Sequence, residues 1–202
     1  MSRVAHSEPA LERRKAVADI LARRGDALVV SGLGSTTWDT AAAGDHPGNF
    51  YVWGGMGGAA MIGLGLAIAQ PARRVVVITG DGEMLMGLGA FATIAVQRVE
   101  NLAVVVMDNE HYGETGMQPT HTRFGVDLAG MAAAAGFAQS ANVRTQAEMD
   151  AARASILEAP GPVFVNVKVV TERAPNVLPP RDGTYLKHRF RRWLLGDEEA
   201  VR

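Results

Sequence analysis

GDGEMLMGLGAFATIAVQRVENLAVVVMDN, residues 80–109, decides the fold. The run RVVVIT at 74–79 leads into it and reads as a strand buried on both faces. Gly80 and Gly82 permit a tight turn at that strand's end. Residues from about 86 to 99 read as a helix, and NLAVVVMDN at 101–109 returns as a second apolar strand. Two such strands joined by a crossover helix make a parallel pair. Both end on short oxygen-bearing side chains, Asp81 after the first and Asn109 after the second.

The same alternation extends outward. PALERRKAVADILARR at 9–24 places Leu11, Val17, Ile20 and Leu21 on one helical face, with Pro9 suited to the first turn and Gly25 to the stop. ALVVSG is a strand running into the loop GLGSTTWD, and NFYVW at 49–53 is a shorter strand. GGMGGAAMIGLGLAIAQ is a glycine-rich loop opening a helix of small residues. After a long polar loop at 110–125 come a helix near 127–135, a short strand near 137, a helix near 145–158 and the strand PVFVNVKVV. The expected fold is α/β, a parallel sheet with helices on both faces, over residues 1–170. Residues 171–202 read as a proline-punctuated linker and an amphipathic helix packing on this domain or on a partner. Ligands of such sheets bind beyond the carboxyl ends of the strands. The loops 31–38, 54–58, 80–84 and 109–123 are therefore expected at one edge.

Composition narrows the chemistry. Among 202 residues there is no cysteine, which excludes disulfides, thiolate metal sites and a cysteine nucleophile. A net charge of −1 gives no electrostatic case for nucleic acid or a membrane surface. No apolar run is long enough to span a bilayer and the N-terminus lacks a signal-peptide core, so a cytoplasmic protein is expected.

Asp81 supplies a hard anionic oxygen, and the helix after it offers unpaired N–H groups to an anion. Mg²⁺ takes about six oxygens, few of them from protein and the rest from phosphate and water. Asp81, Asn109 and the backbone carbonyl of His111 are the candidate metal ligands. Gly80, Gly82, Glu83 and Met84 are candidate cofactor contacts on the same turn, Glu83 serving either the metal shell or the helix N-terminus. On local pattern alone, Gly-Asp-Gly reads as readily as a plain turn, and Asp-Asn as a strand cap. GLGSTT lacks the third glycine and the downstream acid of a dinucleotide site, and the Walker lysine is absent.

GDG at 80–82, then residues 83–107, then Asp108-Asn109 resembles the diphosphate-binding domain of thiamine diphosphate enzymes, whose motif ends in two asparagines. The resemblance covers residues 15–170, and Asp108 departs from it. It implies thiamine diphosphate and Mg²⁺ as cofactors. It also implies that the Gly54 carbonyl and the Met56 N–H meet the aminopyrimidine, that the Met56 side chain props the bent cofactor, and that Gly34, Ser35 and Thr36 contact the diphosphate. NFYVWGGMGG and YGETGMQPTHT are similar to segments of the sulfopyruvate and phosphonopyruvate decarboxylase branch, with Gly55 and Met117 as departures. A β subunit of a 2-oxoacid decarboxylase is thus implied. An acetolactate synthase-like carboligase and a non-catalytic scaffold are the alternatives. In the family an activating glutamate comes from a pyrimidine-binding domain, for which this chain leaves no room. The resemblance therefore implies an α subunit as partner, in a hetero-oligomer built on dimers, and a small 2-oxoacid as substrate. His111 and His121, in the loop after Asn109, are candidate proton carriers. Thr115, Gln118, Thr120 and Arg123 are further loop candidates.

Overall fold

The computed structural model describes residues 11–200, so Pro9 lies outside the described residues. Six parallel strands form one sheet in the order β2-β1-β3-β4-β8-β7. They are β1 (Leu28–Ser31), β2 (Asn49–Tyr51), β3 (Val75–Gly80), β4 (Leu102–Asp108), β7 (Gln139–Val143) and β8 (Val163–Lys168). The quoted unit is the centre of this sheet: β3 and β4 pair in register from Val75↔Leu102 to Gly80↔Met107. Strand order reverses between β1 and β3, and ligands of open α/β sheets bind at such a switch point.

Both sheet faces are covered. On one, Val77, Val104 and Phe164 pack against α3 (Ala59–Ala69), α5 (Gly89–Gln97) and α6 (Leu128–Ala135). Phe91, Phe137 and Phe164 meet edge to face there, with ring centroids 5.0 to 6.0 Å apart. On the other, Val76, Val105 and Val165 pack against α1 (Arg13–Leu21) and α7 (Gln146–Leu157). At the sheet's edges, β2 has three residues, and β7 exposes Gln139, Ala141 and Asn142. Among the described residues no helix is long and apolar enough to cross a membrane.

Several elements differ from the sequence expectation. The first helix begins at Arg13, and Leu11 instead forms a parallel bridge with Val169. GLGSTTWD is not all loop: α2 (Ser35–Ala42) starts at Ser35, after Gly34 at φ 81°. The helix expected from 86 starts at Asp81, and breaks into α4 (Asp81–Met86) and α5 at Gly87. The break has a steric origin. A Cβ on Gly87 would lie 2.4 Å from the Gly57 carbonyl oxygen, so this turn is where the 54–58 loop leans on the helix. The polar loop holds a hairpin, β5 (His111–Tyr112) with β6 (Gln118–Pro119), and a 3₁₀ turn at His121–Phe124. The strand expected near 137 lies at 139–143.

The C-terminal α8 (Gly183–Leu195), capped by the Asp182 carboxylate, packs on this same domain. Phe190 meets Phe50, and Trp193 meets His46, edge to face at 5.5 and 5.1 Å. Arg73 lies 4.5 Å over the Trp193 ring. A four-residue α9 (Asp197–Ala200) follows.

Gly63 tests the closeness of helix and sheet. A Cβ there would lie 2.2 Å from Val77 Cγ2, on a side chain with little rotamer freedom. Gly63→Ala is expected to cost about 1–3 kcal/mol through overpacking, outweighing the helix-propensity gain. Equilibrium denaturant unfolding measures it; unchanged stability would contradict the close approach.

Candidate functional site

The loops after β1, β2, β3 and β4 converge at the carboxyl edge of the sheet, as the alternation predicts. There an inner cavity of about 80 Å³ adjoins an outer one of about 540 Å³. The inner cavity is lined by Ser35, Thr36, Met56, Gly80, Asp81, Gly82, Glu83, Asn109 and His111. These nine candidates come from four separate stretches of chain. It is also lined by Arg13, which no sequence motif marked, and by Tyr112, which opens the segment YGETGMQPTHT.

Asp81 opens α4 and is buried. Thr120 Oγ1 lies 2.5 Å from its Oδ2, Thr122 Oγ1 lies 2.9 Å from Thr120 Oγ1, and Thr122 Oγ1 lies 2.8 Å from Asp108 Oδ1. Thr120 donates to Asp81 and Thr122 to Asp108, with the two hydroxyls in contact between them. Burial, and then the Asp108 charge, push Asp81 up to about 7.

Asp108 occupies the position of the family motif's first asparagine, and Lys168 stands opposite it in the β4–β8 register. Lys168 Nζ bonds Asp108 Oδ2 at 2.7 Å and Glu110 Oε1 at 2.9 Å, all three residues being buried. Asn166 Nδ2 donates to Asp108 Oδ2 at 3.1 Å. Glu110, at φ 63°, turns the chain beyond Asn109.

Asn109 Oδ1 accepts the His111 N–H at 3.0 Å, leaving one of its two lone pairs. His111 Nδ1 lies 2.8 Å from the Asn109 carbonyl oxygen. Nδ1 therefore carries the proton, and Nε2 is the acceptor in the neutral ring. A buried carboxylate and an amide oxygen beside open space fit a hard cation completed by phosphate and water. Among the described residues no three His, Asp or Glu side chains are grouped to hold a metal by themselves.

Glu83 lies in the first turn of α4, the second of its two expected places, and its carboxylate also reaches other elements. Its Oε2 accepts from Leu33 N at 3.0 Å and Thr79 Oγ1 at 2.8 Å, and its Oε1 from Ala59 N at 3.3 Å. It ties together the loops after β1, β2 and β3. Burial raises its pKa against these hydrogen bonds. Gly82 also has a packing role: a Cβ there would meet the Tyr112 ring at 2.5 Å, so its bareness seats Tyr112. A Cβ on Gly80 would meet nothing within 4 Å, so the open approach is at Gly80.

Other candidates lie elsewhere. Met84's side chain is in the hydrophobic core. His121 is exposed on the 3₁₀ turn and lines neither cavity. Gly54, at φ 80°, shapes its loop without lining either cavity, and Gly34 sits under Glu114. Arg123 is exposed and pairs with Glu110 at 3.3 Å. Gln118 pairs with Thr115 at 2.9 Å.

Residues 33–167 match the family model described as thiamine pyrophosphate enzyme, C-terminal TPP binding domain. The chain is 38% identical over 189 residues to the sulfopyruvate decarboxylase subunit beta of Methanothermobacter thermautotrophicus, covering 94% of this chain and 98% of that one. It is also 38% identical over 144 residues to a phosphonopyruvate decarboxylase of Streptomyces viridochromogenes, covering 71% of this chain and 36% of that one. Benzoylformate decarboxylase from Polynucleobacter necessarius has the same fold, with a TM-score of 0.69 at 23% identity over 84% of this chain and 36% of that one.

Two expected outcomes follow from the buried charges. Asp81's folded pKa lies above its ordinary 3.8, so the folded chain holds a proton that the unfolded chain releases. Metal-free stability therefore falls as pH rises from about 4 to about 7. Asp81→Asn should remove that slope and raise the melting temperature at pH 8, by about 2–4 °C for each kcal/mol. Calorimetric melting across pH checks it; an unchanged pH profile counts against a raised Asp81. Lys168→Met leaves Asp108 and Glu110 buried without their shared cation, an expected loss of about 3–5 kcal/mol, and adding Asp108→Asn should recover part of it. Denaturant unfolding of the single and double variants decides between a pair and two independent sites.

Proposed function

The chain belongs to the thiamine pyrophosphate enzymes, through their C-terminal TPP-binding domain, and on that premise we propose that it is the β-type subunit of a thiamine diphosphate- and Mg²⁺-dependent 2-oxoacid decarboxylase. The observation that carries this reading is the likeness to a decarboxylase β subunit over nearly the whole of both chains. The convergence of Asp81 and Asn109 on one cavity supports it.

In this reading Asp81, Asn109 and the His111 carbonyl hold Mg²⁺. Ser35 and Thr36 at the α2 N-terminus and the open face of Gly80 take the diphosphate. Met56, about a third exposed in the inner cavity, supports the folded cofactor. The bound cofactor supplies an electron sink for the pair left when a 2-oxoacid loses carbon dioxide. His111, which lines the cavity, has in this reading the task of accepting or returning a proton through Nε2. The hairpin β5–β6 shields that cavity, its Tyr112 packing over Gly82.

The activating glutamate belongs to an α subunit carrying the pyrimidine-binding domain, and the relative's designation as a beta subunit supports this division. A hetero-oligomer in the cytoplasm, acting on a small 2-oxoacid such as sulfopyruvate or phosphonopyruvate, is the corresponding assembly.

Calorimetric titration with thiamine diphosphate and Mg²⁺, on the chain alone and co-expressed with its partner subunit, tests the proposal. Tight, metal-dependent binding and decarboxylation are expected only in the assembly, and Asp81→Ala should abolish both there. Full decarboxylase activity in the lone chain would refute the two-subunit account.

A further inference from the structure

Arg13 is buried, yet it lines both the inner and the outer cavity. Its Nε donates to Asp39 Oδ2, and Arg14 Nε donates to Asp39 Oδ1 at 2.9 Å. Asp39 is fully buried. Two guanidinium groups thus share one carboxylate, leaving one positive charge in excess. Arg14's Nη2 turns away and donates to the Pro175 carbonyl at 2.7 Å. Among the described residues, Arg13's Nη atoms have no hydrogen-bond partner. Asp39 lies on α2, the helix whose first turn, Ser35 and Thr36, lines the same cavity. The clamp therefore fixes a guanidinium beside that helix N-terminus.

Charge balance gives this arrangement a purpose. Mg²⁺ with an ionised Asp81 carries one net positive charge, Lys168 and Arg123 are already engaged by Asp108 and Glu110, and the remaining carboxylates lining the inner cavity, Glu83 and Glu114, add no positive charge, so Arg13 is its one guanidinium or ammonium group among the described residues. A diphosphate brings about three negative charges, so the metal site alone leaves the distal phosphate uncompensated. A guanidinium presents a planar fork that suits phosphate oxygens.

We propose that Arg13, oriented by Asp39, binds the terminal phosphate of the diphosphate. This rests on the function proposed above and deepens it.

The test uses the chain assembled with its partner subunit and magnesium pyrophosphate, with inorganic phosphate and thiamine monophosphate as controls, read by calorimetry. Arg13→Gln is expected to weaken magnesium pyrophosphate about tenfold or more, while leaving thiamine monophosphate within about twofold. Arg14→Gln, which removes the other half of Asp39's pairing, should leave both within about twofold. Unchanged pyrophosphate affinity in Arg13→Gln overturns the inference, as does an equal loss in Arg14→Gln or an equal loss toward thiamine monophosphate. Should Arg13→Gln fail to fold, Arg13→Lys keeps the charge without the fork. A loss of about threefold or more toward pyrophosphate alone then supports the inference, and no loss overturns it. A wild-type assembly that binds no magnesium pyrophosphate removes the proposed diphosphate site itself, whereas binding that survives Arg13→Gln removes only the role of Arg13.

Discussion

The buried carboxylate of Glu83 is the contact on which the site's shape depends. One side chain on the first turn of α4 accepts hydrogen bonds from the loop after β1, from the end of β3 and from the start of α3. Desolvation works against the charged form, and the converging N–H and O–H donors offset it. The geometry leaves no alternative occupant: a Cβ on Gly32 would fall 1.8 Å from Glu83 Oε2. Three loops with no mutual secondary structure are thereby held at the switch point of the sheet.

A second polar chain fixes the opposite wall. Asp81, Thr120, Thr122, Asp108 and Lys168 run in unbroken hydrogen-bonding contact from the β3 turn to β8. They anchor the far end of the β5–β6 hairpin loop to the strand that carries Asn109. The two networks meet at α4, whose first residues are Asp81 and Glu83. Buried polar groups of this kind are costly unless all are satisfied, and here the costs are concentrated where four loops must keep one arrangement. Asp108, a departure from the family's asparagine, is accommodated because Lys168 is its direct cross-strand neighbour.

How much was legible follows from sequence distance. The strands and most helices were readable because hydrophobic periodicity is local, and the Gly-Asp-Gly and Asp-Asn ends were readable because each sits at a strand terminus. In the sequence Ser35 reads as loop because STTWDTAA has no apolar stripe; its helix is held by tertiary contact with α1. The role of Glu83 was invisible because its partners lie at residues 33, 59 and 79. Lys168 and Arg13 were missed for the same reason: their carboxylates are Asp108 and Asp39, contacts that only the completed sheet creates. His121 shows the converse, since a histidine close to Asn109 in sequence stands exposed on the 3₁₀ turn and lines neither cavity.

The two rims of the sheet have a consequence for assembly. One ends on a three-residue strand, the other on a strand with solvated Gln139, Ala141 and Asn142. Neither offers the long, flat, greasy ladder that recruits a foreign strand. Neither rim therefore favours a continuous intermolecular β-structure, or the fibrillar hazard that such growth carries.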